Sequence, residues 1–441
     1  MIKKVHTAWI VVPVLLVASA CTSGTNPSGA GPSGSVESPA VVSTPSTTAA
    51  PNSANSGPGA DESTGGNRAT QTNPSPSTTA TSLQVSAVNQ IEAGGALATT
   101  SSEGPTIPPA AAAGDGNARC SNATIGVLIG GAQQDEWLSQ NISAAVKTAV
   151  QEHNEQNKHC QVAIRTSEYQ SGDVAATSAA KKLVEDKSVV AVIGPESPST
   201  LKALAPVLNS EQIPVLPLGI IGIDGKNSVF AGNATSAVLA KYAARYLIST
   251  ENLYKVCVVN DGSSAAQTLA TGVSRELNGS LDKTCTGNLT NINGTVSTMH
   301  SEAPDGIFYA GGTQTLATFV TALRKAGVSA GIYTGPVDST TLIKKIGSLA
   351  AGITVVCPCA STPSTLSAKF KDASVPFGQF STEAYDLATV LLHGIDAGVD
   401  NGADMDQYLR KYDGQGYGGD YRWSKNGLIS NPRVWLYQIG V

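Results

Sequence analysis

The chain lacks several short motifs that carry catalytic or cofactor chemistry. The phosphate loop GxxxxGK[ST] and the CxxC pair of metal and redox sites are absent from its 441 residues, and its 5 histidines are scattered. No histidine has a recognisable setting beside a nucleophile. We therefore predict no catalytic residues, no metal and no cofactor, and a protein that is not an enzyme.

Charge of one sign and long apolar runs are also scarce. The net charge is -5 and no basic block is present, which argues against a nucleic-acid partner. The apolar run over residues 8–20 follows two lysines and is too short to span a bilayer as a mature helix. We interpret residues 1–20 as a cleaved secretory leader.

The leader ends in a lipid-attachment pattern. Ala18, Ser19 and Ala20 stand directly before Cys21 and resemble a bacterial lipobox. The resemblance implies lipidation of Cys21 and an extracytoplasmic protein that is anchored to the cell membrane. An ordinary secretory signal with a chance cysteine is the alternative.

Large apolar side chains are nearly missing from residues 21–118, which consist mainly of Ser, Thr, Ala, Gly, Pro and Asn. Such a segment cannot bury enough surface to offset the entropy lost on ordering. We predict a disordered tether here. Residues 119–441 then form the folded part, and their number favours two lobes.

Cysteines are few, and an even number is left for disulfides once Cys21 is set aside. The other six are Cys120, Cys160, Cys257, Cys285, Cys357 and Cys359. Cys120 and Cys160 each precede an apolar strand, and Cys257 and Cys285 bear the same relation to two later strands. Because consecutive parallel strands usually lie side by side, we favour those two pairs. The last two pair with each other or stay free.

Strand and helix patterns alternate through the folded part. TIGVLIGG, QVAIRTSEY, SVVAVIG and PVLPLGI are each followed by a helical pattern, and KVCVVND, GIFYAGG and AGIYTGP restart the series. This order predicts an α/β fold with two Rossmann-like lobes, parallel sheets and several crossovers. We place lobe 1 at about 119–250 and 355–412, and lobe 2 at about 251–354 and 413–441.

The stretch VIGPESPST, residues 192–200, ends a strand and begins a helix. Ser197 is a good N-cap, and Pro198 suits the first helical position. Ligands of open α/β sheets bind beyond the carboxyl ends of the strands, so we expect this loop to line a cleft between the lobes. A helix cap that touches no ligand is the alternative.

The order of these motifs resembles the type I periplasmic substrate-binding proteins, and among them the branched-chain amino-acid (Leu-Ile-Val-type) receptors of ABC transporters. The resemblance covers roughly residues 124–441. It rests on the segment from DVAATSAAKKLVEDK through VIGPESPSTLKALAPVLNSEQIPVL, on DGIFYAGG with ALRKAGVSAGIYTGP, and on the late helix STEAYDLATVLLHGI. It implies a receptor that closes on a small molecule and hands it to an ABC permease.

The resemblance also implies a set of ligand-binding residues. They are Trp137, Ser197, Ser199, Thr200, Gly219, Ile221, Ser264, Thr313, Gln314, Asp338 and Tyr385. The clamp for an α-amino acid is mostly missing. Pro198, which has no N–H, stands where a backbone N–H would hold the substrate carboxylate, and Ile220 stands in a loop that often has a threonine. We expect a neutral or weakly polar solute. Trp137 could equally pack the lobes together, and Asp338 could simply begin a helix.

Two functions of different class are open at this point. The first is a monomeric, lipid-anchored solute receptor of an ABC importer. The second is a repurposed receptor fold that acts as a cell-envelope sensor or scaffold. The missing clamp favours the second, and so does the predicted tether, whose random-coil reach is about 50–60 Å.

Overall fold

The computed structural model describes residues 83–99, 110–131, 136–170, 172–222 and 228–440. The leader, Cys21 and most of the predicted tether lie outside these residues, so their assignments stay predictions. In the described part of the chain, no helix combines the length and the apolar content needed to cross a membrane.

Helices and strands alternate as the sequence pattern predicts. The strands are β1 (Gln84–Ile91), β2 (Ala123–Gly130), β3 (Val162–Tyr169), β4 (Val189–Ile193), β5 (Val215–Leu216), β6 (Val256–Asn260), β7 (Gly287–Asn288), β8 (Gly306–Ala310), β9 (Gly331–Thr334), β10 (Thr354–Cys357), β11 (Gly414–Gln415), β12 (Asp420–Tyr421) and β13 (Val434–Gly440). The helices are α1 (Glu136–Gln156), α2 (Asp173–Val184), α3 (Pro198–Ser210), α4 (Ser236–Ser249), α5 (Ser264–Leu277), α6 (Ile292–Glu302), α7 (Thr313–Lys325), α8 (Ser339–Ile346), α9 (Ser364–Asp372), α10 (Ser381–Asp396) and α11 (Gly402–Lys411).

The first lobe is built on a parallel sheet of four strands in the order β3-β2-β4-β5. Every residue of β2 and β4 is buried, which accounts for their unbroken apolar runs. Helices α1 and α10 cover one face of the sheet, and α2 and α3 cover the other. The prediction of a doubly wound α/β architecture is confirmed.

The second lobe is built on a seven-stranded sheet in the order β1-β13-β10-β9-β8-β6-β7. Its strands from β10 to β7 run parallel, whereas β13 is antiparallel to both of its neighbours. Helices α4 and α5 pack on one face, and α6, α7 and α8 pack on the other.

The lobe boundaries differ from those we placed on the sequence. Strand β10 pairs with β9 and β13, and α4 packs on α5, so both belong to the second lobe. The apolar face of α4, with Leu239, Ala243 and Leu247, shares a core with Val258 and Phe308. Helical periodicity indicates that such a face is buried, but it does not indicate which sheet the face packs against. The crossover to the second lobe after β5 therefore cannot be predicted from the sequence pattern.

The segment predicted as the end of the tether contains a strand instead. Strand β1 pairs antiparallel with β13 along residues 84–91 and forms the edge of the second sheet. Its register shifts between Ala87 and Asn89, which leaves Val88 40% exposed while Ile91 is fully buried. The bulge interrupts the alternation of apolar and polar residues that marks a strand. The segment was therefore assigned to the tether on its composition.

A second part of the predicted tether docks on the first lobe. The side chain of Asn157 donates to the carbonyl of Ala113 (2.8 Å) and accepts from the N–H of Ala118 (3.0 Å). His393 Nε2 lies 2.8 Å from the carbonyl oxygen of Ala111. The chain before β2 therefore contacts both lobes.

The three disulfides follow the favoured pairing. Cys120 bonds to Cys160 and Cys257 bonds to Cys285, which confirms both predictions. The remaining two cysteines, which we left as paired or free, bond to each other across Pro358. The first bond ties together the approaches to the neighbouring parallel strands β2 and β3, and the second ties β6, which contains Cys257, to the approach to its neighbour β7.

Candidate functional site

The carboxyl ends of the strands of the first lobe meet the second lobe at a small cavity of about 80 Å³. It is lined by Gly130, Trp137, Leu138, Ser139, Tyr169, Glu196, Ser197, Gly219, Ile220, Ala265, Pro336 and Phe380. Since a single water needs at least about 10–15 Å³ of such space, the cavity holds a few waters or a very small solute.

Two residues of the loop over residues 194–200, Glu196 and Ser197, line this small cavity. Ser197 is the N-cap of α3, and its Oγ accepts from the N–H of Thr200 at 3.3 Å. Pro198 occupies the first helical turn, as the sequence predicts. The oxygen that could hold a ligand is therefore already used by the helix.

Glu196 is the only charged residue among the described lining of the small cavity, and it is half-buried there. Ser139 Oγ lies 2.8 Å from Oε1, the Tyr169 hydroxyl lies 3.1 Å from Oε2, and the N–H of Gly130 lies 3.3 Å from both. Burial raises the pKa of Glu196 above its usual range, while these donors act in the opposite direction.

A larger cavity of about 440 Å³ lies beside the small one, with Trp137 in the lining of both. Its volume falls in the range of small-molecule sites. Its walls come from both lobes, namely β1, the start of α1, the start of α8, the segment after β10 and the loop before α10. The residues are Val85, Ala87, Trp137, Gln140, Asn141, Val337, Asp338, Ser339, Thr340, Ala360, Ser361, Thr362, Pro376, Phe377, Gly378, Gln379 and Tyr437.

The larger cavity has an apolar body with a few polar groups. Two buried polar atoms of its lining residues, Trp137 Nε1 and Gln379 Oε1, have no hydrogen-bond partner. Asp338 is the one charged side chain among the described residues that line it. A mostly apolar ligand with a few hydrogen-bonding groups fits such a lining, whereas an anion finds no cationic side chain among the described residues that line it.

The structure brings some of the predicted ligand-binding residues together. Trp137, Ser197 and Gly219 line the small cavity, and Trp137 and Asp338 line the larger one. Asp338 is also the N-cap of α8, with the N–H of Thr341 donating to its Oδ1 at 2.9 Å. The interpretation of Asp338 as a helix-start residue is confirmed, and its role as a ligand contact stays a prediction.

Other predicted residues lie behind or beside these cavities. Thr200 and Ile221 are buried beneath the small cavity's loops, and Ser199 lies in the first turn of α3. Ser264 is exposed beside Ala265, which does line the small cavity. Each of these contributes to the walls only through its neighbours.

The remaining three predicted residues line neither cavity. Thr313 accepts from the N–H of Asp338 at 2.9 Å, and Gln314 is exposed on α7. Tyr385 is 1% exposed, and its hydroxyl donates to Glu152 at 2.7 Å within the first lobe. Their roles as ligand contacts stay predictions.

Sequence reasoning missed the residues that surround the Glu196 carboxylate and those that β1 contributes to the larger cavity. Gly130 ends β2, Ser139 lies in the first turn of α1, and Tyr169 ends β3. The signal available in the sequence was their position at the carboxyl ends of neighbouring strands. Val85 and Ala87 alternate with Gln84 and Ser86, which is typical of a strand, but the composition of the surrounding segment led us to assign them to the tether.

Two acidic residues of α10, one turn apart, hold segments that connect the lobes. Glu383 accepts from the N–H of Ala360 at 2.6 Å, and Asp386 accepts from the N–H groups of Tyr417 (2.9 Å) and Gly418 (2.6 Å). Burial raises the pKa of Glu383 to about 8 and that of Asp386 to about 7. The second oxygen of Glu383 is buried without a partner.

Two stretches match the letters of catalytic motifs but not their structural context. GVSAG, residues 327–331, matches GxSxG but connects the end of α7 to β9, whereas a nucleophile turn connects a strand to a helix. GQGYGG, residues 414–419, matches GxGxxG but lies in the hairpin of β11 and β12. The second stretch was predicted as a turn.

Comparisons with known proteins agree on one architecture. Residues 124–440 match the sequence profile described as periplasmic binding protein. No curated protein sequence matches the chain significantly. Among solved structures, the branched-chain amino-acid substrate-binding protein LivJ of Streptococcus pneumoniae, in complex with isoleucine, is 17% identical with a TM-score of 0.62, over 70% of this chain and 94% of that one.

Two further solved structures have the same fold. The leucine-binding protein LivK of Thermotoga maritima is 16% identical with a TM-score of 0.62, over 72% of this chain and 98% of that one. A type 1 periplasmic binding protein of Bordetella pertussis is 15% identical with a TM-score of 0.60, over 73% and 97%. At such identities the likeness shows the fold and carries nothing about the ligand.

Proposed function

Because the chain belongs to the periplasmic binding protein family, we propose that it is the solute-binding component of an ABC importer, held outside the cytoplasm by a lipid on Cys21. It closes its two lobes on a small molecule and presents that molecule to a permease. It is a binding protein and not an enzyme. Hinge closure about the crossovers would trap the ligand between the lobes.

The observation that carries this proposal is the larger cavity. It lies between two sheets that the chain connects by several crossovers, and its walls combine residues of both lobes. A ligand in contact with both walls favours the closed arrangement by its differential affinity.

We further propose that the ligand is not a plain α-amino acid. The described residues that line the two cavities include Glu196 and Asp338 but no lysine, arginine or histidine. A carboxylate brought into such a cleft would lose its hydration and find no cationic partner. A neutral, mostly apolar solute with few directional contacts meets no such cost.

Calorimetric titration of the purified folded domain with leucine, leucinamide and an uncharged analogue of matched shape tests the ligand class. We expect leucine to bind no more tightly than the uncharged analogue. Micromolar binding of leucine that is lost on amidation would show a working carboxylate clamp and overturn this part of the proposal.

The alternative, a cell-envelope sensor or scaffold on the same fold, is favoured by one observation. The cavity at the strand ends, about 80 Å³, is smaller than a usual ligand site. Small-angle scattering during a broad solute screen separates the two functions. A receptor contracts with its solute, whereas a scaffold shows neither binding nor contraction with any solute.

A further inference from the structure

Three elements of the first lobe direct hydrogen-bond donors at one point in the wall of the small cavity. The N–H of Gly130 comes from the end of β2, the hydroxyl of Ser139 from α1, and the hydroxyl of Tyr169 from the end of β3. All three converge on the carboxylate of Glu196 at 2.8–3.3 Å. None of them belongs to the loop that carries Glu196.

This donor set does not depend on Glu196 for its position. Strands β2 and β3 are paired along their whole length, and Ser139 and Tyr169 are only 4% and 3% exposed. Ser139 has one hydroxyl hydrogen and also lies 2.9 Å from the carbonyl oxygen of Gly130, so it can serve only one of the two acceptors. Gly130 and Tyr169 are therefore the constant donors, and Ser139 is a shared one.

The geometry around the carboxylate is that of a binding site for a small carboxylic acid. Both oxygens have a donor, the N–H of Gly130 lies between them, and the site opens on a cavity of about 80 Å³. The atoms of Glu196 beyond Cβ, one methylene and the carboxylate, are the heavy atoms of an acetate ion. A substitution by alanine removes that fragment and leaves its donors in place.

We propose that these donors form a carboxylate-binding subsite of the interlobe cleft, and that the chain fills this subsite with its own Glu196 side chain. Glu196 acts as a permanent internal ligand and is a specificity residue against solutes that carry a carboxylate. The inference rests on the proposed function only in treating the cavity as a ligand cleft. The occupation of the subsite can be tested without any transport assay.

Rescue by acetate tests the proposal. Melting temperatures of the wild type, Glu196→Ala and Glu196→Gln are compared in sodium acetate and in sodium chloride of equal ionic strength. We expect the alanine variant to melt below the wild type, because buried donors lose their acceptor. Acetate at about 0.1 M should raise its melting temperature by about 2–4 °C over chloride.

The glutamine variant is the matched control because its side chain still fills the subsite. We expect acetate to raise the melting temperature of the wild type and of Glu196→Gln by less than about 1 °C over chloride. Adding Tyr169→Phe to the alanine variant should reduce the rescue, because one of the constant donors is lost. An equal effect of acetate on all variants, or none on the alanine variant, overturns the proposal.

A folding failure of Glu196→Ala also gives an answer. Recovery of soluble, folded protein from refolding in acetate but not in chloride supports the subsite, and failure in both salts contradicts it. The outcome of the acetate experiment is independent of whether the protein is a solute receptor. A scaffold with no solute would still show acetate rescue, and a working receptor could lack it.

Discussion

At the residue scale, two acidic side chains of the first lobe, Glu196 and Glu383, accept hydrogen bonds from residues of other elements. The cap of α3 by Ser197 with Pro198 behind it follows from neighbouring residues alone, and the structure has it. The donors around Glu196 come from positions 27 to 66 residues away. No local sequence pattern marks such a cluster.

The buried Glu383 leads to a prediction at this scale. Its pKa is raised to about 8, so between its unfolded value near 4.5 and about 8 the native state holds more protons than the unfolded chain. The free energy of unfolding must therefore fall as pH rises through this window. Glu383→Gln keeps the acceptor for Ala360 but cannot ionise. We expect this variant to lose less stability than the wild type between pH 5 and pH 9, by on the order of a few kcal/mol.

Melting curves across that pH range check the expectation, with Glu185→Gln on the exposed end of α2 as the control. The control should follow the wild type. If Glu383→Gln follows it too, the buried carboxyl does not titrate as described.

At the element scale, the long buried strands and most of the helices were predictable because each is marked by its own periodicity. Strand β1 and the allocation of α4 and β10 to the second lobe were not. The first depends on a bulge and on its partner β13, and the second on which sheet a buried face meets. Both are tertiary facts that a single segment does not encode.

The place of β1 in the fold gives a prediction for one side chain. Ile91 is fully buried against α4, whereas Val88 in the same strand is 40% exposed at the bulge. We expect Ile91→Ala to lower the free energy of unfolding by about 2–5 kcal/mol, because it leaves a cavity in the core. Val88→Ala should change it by less than about 0.5 kcal/mol. Urea unfolding measures both changes in the free energy of unfolding. Equally small changes would indicate that residues 84–91 belong to the tether and not to a packed strand.

The bond between Cys120 and Cys160 belongs to the same scale, since it ties the approaches of β2 and β3 across a separation of 40 residues. Replacing both cysteines by alanine should cost roughly 3–4 kcal/mol in the chain-entropy model. Replacing Cys357 and Cys359, which are separated by 2 residues, should cost less. Urea unfolding of the two double variants compares them, and a larger loss from the second would contradict this ranking.

At the scale of the whole molecule, the sequence indicated the two-lobed α/β architecture and its cleft, and the structure and family agree. The position of the larger cavity could not be foreseen, because β1, α1, α8 and the loop before α10 meet only after both lobes are assembled.

The predicted anchor also belongs to this scale. We expect Cys21→Ala to release the protein from the membrane fraction or to leave its leader uncleaved. Unchanged membrane retention with normal processing would refute lipidation.

The most direct test of the receptor function is a crystal structure of the folded domain purified from its native host without denaturation. We predict density for a small molecule without a free carboxylate, in contact with Trp137 and with residues of both lobes in the larger cavity. An empty cleft in a closed protein, or an amino acid whose carboxylate is held by the loop over residues 197–200, would contradict it.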